Sequence, residues 1–106
     1  MRNGRYIKDH TKRKGFWIED WLTGRKYYLN NQNHIKAVVG LLNDYTSNDR
    51  FVSYESKVGD VIEDTNTDDV YVLGDSSHVN KIKKLLNEFD FGLYGERELP
   101  YKRVMM

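Results

Sequence analysis

The chain has 106 residues, 39% of them apolar and 13% aromatic, with 17 Lys/Arg set against 16 Asp/Glu. That length makes one domain, and its large rings can fill a small core, so a globular fold is expected rather than a disordered chain. With no cysteine there is no disulfide framework, thiolate metal site or thiol nucleophile. No apolar run approaches the ~20 residues that a membrane span needs. No apolar segment follows the basic first residues in the manner of a signal peptide, so a cytoplasmic protein is expected.

The near-neutral balance hides a division. Residues 1–45 carry nine Lys/Arg against four Asp/Glu, a net of +5, and residues 46–106 carry eight against twelve, a net of −4. Much of the positive excess lies in 1–14, which reads as a basic N-terminal arm holding one strand-like piece, Arg5-Tyr6-Ile7-Lys8. A basic arm of this kind suits a polyanion, with Arg2, Arg5, Lys8, Lys12, Arg13 and Lys14 as candidate phosphate contacts. Ordinary surface charge in a chain near neutrality is the simpler explanation of the same residues.

Gly15 opens the patterned part of the chain. Phe16-Trp17-Ile18-Glu19-Asp20 is rich in strand-forming side chains. Leu22-Thr23-Gly24 reads as a turn, and Arg25-Lys26-Tyr27-Tyr28-Leu29 as the returning strand of a hairpin. Asn30 to Asn33 offers helix N-caps. The helix that follows runs to about Tyr45, with Ile35, Val38, Val39 and Leu42 in one apolar stripe. Residues 46–58 form a linker with a strand, Arg50 to Glu55. Asp60 to Asp64, the turn Thr65 to Asp68, and Val70 to Leu73 form a second hairpin. The continuous apolar run Val70-Tyr71-Val72-Leu73 predicts a strand buried on both faces or at a sheet centre. Asp75, Ser76 or Ser77 then caps a second helix, with Val79, Ile82, Leu86 and Phe89 as its stripe.

The two patterned stretches are one pattern written twice. Residues 15–45, shifted by 44 positions, align without a gap on 59–89, and eleven of 31 pairs are identical. These include Asp20/Asp64, Thr23/Thr67, Tyr27/Tyr71, His34/His78 and the Leu-Leu-Asn runs at 41–43 and 85–87. Internal self-similarity sets the architecture. One strand–turn–strand–helix unit cannot bury both a sheet face and a helix stripe, but two units can. The expected fold is therefore α+β: two tandem ββα repeats in a two-layer sandwich. One antiparallel sheet of about four to six strands would carry both helices on one face, with a pseudo-twofold between the halves. Residues 90–106 form an aromatic tail with no counterpart.

No constellation in the chain has the chemistry of a catalyst. His34 and His78 occupy matched helix starts, but no third metal ligand stands at telling spacing, and each is expected to bond a neighbouring backbone group. Asp64 to Asp75 places oxygens like a calcium loop, yet Asp69 stands where that loop needs Gly and the flanks read as strands. Glu19-Asp20 and Glu63-Asp64 are repeated acid pairs, but neighbours on a strand point to opposite faces, so neither pair is a dyad. A turn-start role for Asp20 and Asp64 accounts for their repetition. No enzyme activity, cofactor or metal is expected.

The unit Asp20, Thr23, Gly24, Arg25, Tyr27, Leu29, Leu41, Leu42, Asn43, and its echo at Asp64, Thr67, Tyr71, Leu73, Leu85, Leu86, Asn87, resembles a pattern in small phage and mobile-element proteins. There a strand, a D-x-x-T-G turn, a strand ending in Leu and a helix closing on L-L-N follow one another. In the second copy Asp68 replaces the turn glycine. The resemblance implies a viral or mobile-element setting and no activity. The expectation is a small non-enzymatic binding protein, monomer or homodimer, that inhibits or modulates a host nucleic-acid-acting or defence protein. Folding does not require the positions where the copies diverge, so the binding candidates are Trp21, Arg25 and Lys26 at the first hairpin, with Trp21 expected exposed, and Tyr94 and Tyr101 in the tail. The alternative is a direct nucleic-acid binder that uses the basic arm for phosphates and the aromatic hairpin for stacking.

Overall fold

The computed structural model describes residues 4–9 and 16–94. Six strands and two helices follow in the order β1 (Tyr6–Asp9), β2 (Trp17–Asp20), β3 (Lys26–Tyr28), α1 (Gln32–Thr46), β4 (Phe51–Ser56), β5 (Gly59–Asp64), β6 (Asp69–Val72) and α2 (Ser76–Tyr94). All strand pairings are antiparallel, with register Trp17↔Tyr28 in the first hairpin and Val61↔Val72 in the second.

Each hairpin turn is organised by one aspartate. The Leu22 N–H donates to Asp20 Oδ1 at 3.0 Å, the Thr23 hydroxyl to Oδ2 at 3.0 Å, and the Gly24 N–H to the Asp20 carbonyl at 2.7 Å. Gly24 sits at φ +78°, the conformation that a side chain resists. In the second turn Asn66 N–H bonds Asp64 Oδ1 at 3.0 Å, and Asp68, at φ +65°, occupies the glycine's place. Aspartate is among the few side chains that tolerate this region. The helices begin at Asn31 and Asp75. Their carboxamide and carboxylate oxygens accept the backbone N–H groups two and three residues on, at 2.9 and 3.3 Å for Asn31 and 2.9 and 3.4 Å for Asp75.

The core lies between the helices and one face of the strands. Ile35, Val38 and Leu42 of α1 and Val79, Ile82 and Leu86 of α2 meet Ile18, Tyr27, Phe51, Ile62 and Tyr71, all buried. Val39 and Phe89, also expected in the core, are half-buried at its margin.

One expectation fails in an instructive way. The strands do not join into one sheet; they form two three-stranded sheets, β1-β2-β3 and β4-β5-β6. The reason is visible at the strand edges. The strand preceding each hairpin pairs with that hairpin, and side chains from the helices then occupy some of the edge backbone groups that a further strand would need. Asn87 of α2 accepts from the Tyr6 N–H at 2.7 Å and donates to the Tyr6 carbonyl at 2.8 Å. Asn43 of α1 does the same to Phe51 at 2.7 and 3.0 Å. His34 Nδ1 accepts the Tyr28 N–H at 3.0 Å, and His78 Nδ1 the Val72 N–H at 2.8 Å. So α1 is fastened to β3 at its start and to β4 near its end, while α2 is fastened to β6 and β1. Each helix straddles both sheets.

Two boundaries also move. Residues 6–9 are the first strand of the first sheet and not part of a free arm. The second helix runs to Tyr94, so the tail does not begin at Asp90. Finally, Val70 to Val72 lies at a sheet edge, not its centre, and leaves Val70 41% exposed.

Candidate interaction surface

Most polar residues that repeat in the sequence belong to the scaffold. Arg5 forms a bidentate pair with Asp20, Nε to Oδ1 at 2.7 Å and Nη2 to Oδ2 at 2.8 Å. Arg50 grips Asp64 with the same atoms at 2.7 and 2.8 Å. Planar forks of this kind give charge-assisted hydrogen bonds with fixed geometry. Burial alone would raise the Asp20 pKa, but the hydrogen bonds and charge of Arg5, with Thr23 and the Leu22 N–H, outweigh it and hold the carboxyl below the usual carboxylate range. Hydrogen bonding to Arg50 lowers Asp64 in the same direction, against burial. Both aspartates are thus ionised parts of the fold, and neither is available as an acid or base.

The halves differ around the arginines. Arg5 Nη1 also reaches Asp90 Oδ1 at 3.1 Å, the Tyr45 hydroxyl donates to the same oxygen at 3.0 Å, and the Tyr6 and Tyr45 hydroxyls are 2.7 Å apart. Burial, with the hydrogen bond to Asp90, pushes the Tyr45 hydroxyl up to about 12. In the other half the matching rings are phenylalanines. Arg50 lies 5.1 Å from the Phe51 ring centre and 5.9 Å from that of Phe89. Arg5 therefore sits in a polar network and Arg50 among phenylalanine rings, and the two clusters adjoin, with the Tyr45 and Phe89 ring centres 6.3 Å apart.

The histidines stand apart in the same sense. Each Nδ1 accepts a backbone N–H, and His34 stacks on Tyr28 at 5.6 Å. Among the described residues no group of three or more His, Cys, Asp or Glu is placed to hold a metal ion. The stretch likened to a calcium loop is a hairpin turn whose first aspartate is engaged by Arg50. No described helix is long and apolar enough to cross a membrane.

The structure scatters the candidates read from the sequence. Trp21 is half-buried, not exposed; its N–H donates to the Arg5 carbonyl at 2.9 Å and draws it against β1. Arg25 is exposed at the turn. Lys26 is exposed on the outer face of the first sheet, where its Nζ lies 4.5 Å from the Trp17 ring centre. Trp17 in turn stacks on Tyr28, with centres 5.0 Å apart and planes 3° from parallel. By strand alternation Trp17 and Tyr28 lie opposite the face of Ile18 and Tyr27, and Trp17 is nonetheless buried, at 6% exposure. Arg5 is turned inward onto two carboxylates and leaves the set of phosphate contacts. Arg2, Lys12, Arg13, Lys14 and Tyr101 lie outside the described residues, as do the side chains of Lys8 and Tyr94.

Sequence reasoning missed the outer face of the second sheet. By strand alternation Phe51, Ile62 and Tyr71 face the helices, while Val52, Tyr54, Val61, Glu63, Val70 and Val72 face away. In register, Val52, Glu63 and Val70 make one row, and Tyr54, Val61 and Val72 the next. Val52, Tyr54 and Val70 are 40%, 44% and 41% exposed. The Tyr54 hydroxyl donates to Glu63 Oε1 at 3.0 Å, which lays the ring along this face. An outward sheet face is ordinarily polar, so three apolar residues exposed by 40% or more are out of pattern, while Val61 beside them is fully buried. The signal was present in Phe51-Val52-Ser53-Tyr54, whose second alternation set is as apolar as the first. At the far end of α2, Phe91 and Leu93 are 59% and 58% exposed.

No family model, no curated protein and no solved structure matches the chain.

Proposed function

We propose that this chain is a small non-enzymatic binding protein, of viral or mobile-element origin, that acts by engaging a host protein of nucleic-acid or defence metabolism. One observation carries the reading. Among the described residues the matched arginines, aspartates and histidines are held in scaffold bonds, whereas Val52, Tyr54 and Val70 stand exposed on the outer face of the second sheet. Contiguous apolar surface of this kind suits a protein partner better than a polyanion. Glu63, the one charged residue on that face, would repel phosphates. We also read the two halves as copies of one unit, arranged as a two-layer sandwich about a pseudo-twofold axis. The matched Arg–Asp forks, Asn fasteners and His bonds support this.

The test is capture of partners from a host lysate on the immobilised chain, with and without nuclease. A protein retained after nuclease treatment is the expected result. Retention lost on nuclease treatment would overturn it in favour of direct nucleic-acid binding.

A further inference from the structure

We infer that β4 is a self-pairing edge, and that two copies of this chain associate through it into one continuous six-stranded sheet. The argument begins with the direction of each backbone group along the strand. The N–H and C=O of Phe51 point away from β5, because both bond the Asn43 carboxamide. Alternation then directs the N–H and C=O groups of Ser53 and Glu55 outward as well. No other hydrogen bond of the described residues uses them. These two residues therefore present a short, open ladder.

The other edges are shorter, and each carries a fastener of its own. β1 carries the Asn87 fastener at Tyr6, β3 carries His34 at Tyr28, and β6 carries His78 at Val72. Both edges of the first sheet are short strands, four residues for β1 and three for β3, and each holds a lysine, Lys8 or Lys26. Short edges with lysine are common defences against strand addition. β4 is six residues long and has no lysine, proline or bulge.

What the open ladder accepts follows from its register. A strand meeting it upstream collides with the Asn43 fastener, so pairing must centre on Tyr54. A second β4 placed antiparallel about a twofold through Tyr54 sets Ser53 opposite Glu55 of the other copy, and Glu55 opposite its Ser53. All the outward groups of both residues are then satisfied in two hydrogen-bonded pairs, and neither asparagine is displaced. The two Tyr54 side chains come side by side on the outer face, in a non-hydrogen-bonded position where cross-strand rings pack closely. Glu55 faces a serine and not another acid. The chain is thus complementary to itself at this edge. The association leaves the outer faces uncovered, so it does not depend on the proposed host partner. It doubles that face.

Analytical ultracentrifugation across a wide concentration range tests this directly. The expected result is a reversible shift from 12.6 kDa to twice that mass. Ser53→Pro and Glu55→Pro each remove an outward N–H that the intramolecular ladder does not use, and edge positions of this kind tolerate proline. Each variant should remain monomeric with a circular dichroism spectrum like that of the wild type. Two variants are used so that a misfolded one does not decide the matter. In amide exchange, Ser53 and Glu55 should gain protection as concentration rises. A wild type that stays monomeric at millimolar concentration overturns the inference. So does a dimer that persists in both proline variants, which would place the contact on another surface.

Discussion

Arg5 and Arg50 hold their aspartates with the same atoms at the same distances, yet they do not stand in equivalent surroundings. Arg5 answers two buried carboxylates, Asp20 and Asp90, and Arg50 answers Asp64 alone. Removing the cation from a buried pair strands its partner, which typically costs about 3–5 kcal/mol. Arg5→Met is therefore expected to cost that much or more in urea denaturation, and Arg50→Met clearly less. Equal losses would mean that Asp90 gains nothing from Arg5. The same groups set the pH response. Asp20 and Asp64 have folded pKa values below the unfolded value of 3.8, so their contribution is whole above that pH and is lost as pH falls through the folded values. Tyr6 and Tyr45 are shifted up from 10.0, so the stability they lend is whole below about pH 10 and is lost as pH rises beyond it. A melting-temperature profile that falls below pH 4 and again above pH 10 is expected. A profile with no fall at either limit would contradict this assignment.

Among the elements, what decides the architecture is the set of bonds between helices and strand edges. Asn43→Ala or Asn87→Ala leaves a strand N–H and C=O without partners, which costs about 1–3 kcal/mol for a buried pair of groups. The Asn87 change should also release β1, seen as faster amide exchange at Tyr6 with β4 unaffected, and the Asn43 change should do the reverse at Phe51. Exchange that quickens equally in both sheets would deny that each asparagine serves one strand. Gly4 belongs to this device, because a Cβ there would collide with the Asn87 carboxamide. Much of the element level was legible beforehand. The stripes Ile35-Val38-Leu42 and Val79-Ile82-Leu86 reported the helices, and Asp20 and Asp64 reported the turns, because local spacing carries those signals. The division into two sheets was not legible. It depends on Asn43 and Asn87 reaching backbone groups 8 and 81 residues away in sequence, and no local pattern encodes that reach. The apolar outer face escaped for a related reason: Val70 to Leu73 looks buried on both sides until its neighbours are known.

For the whole molecule, the two helices tie two small sheets together from the inside and leave both outer faces partly exposed, with Trp17 and Val61 buried on them. The first face carries Trp17, Tyr28 and Lys26, stacked on one another. The second carries Val52, Tyr54 and Val70. The first hairpin is less available than its sequence suggested, since Trp21 is half-buried and bonded to Arg5 through its backbone. Deleting residues 1–14 would remove β1 and so cannot test a phosphate-binding arm; charge reversal of Lys12, Arg13 and Lys14 would. The most direct test of the binding surface is lysate capture by a chain carrying Val52→Lys and Val70→Lys. Both residues are on the exposed face and neither makes a scaffold bond, so the variant should fold. The account predicts that the partner retained by the wild type is lost from this variant while its melting temperature is nearly unchanged. Undiminished capture by the folded variant would contradict it, and loss of capture on Trp21→Ala with Arg25→Glu instead would move the site to the first hairpin turn.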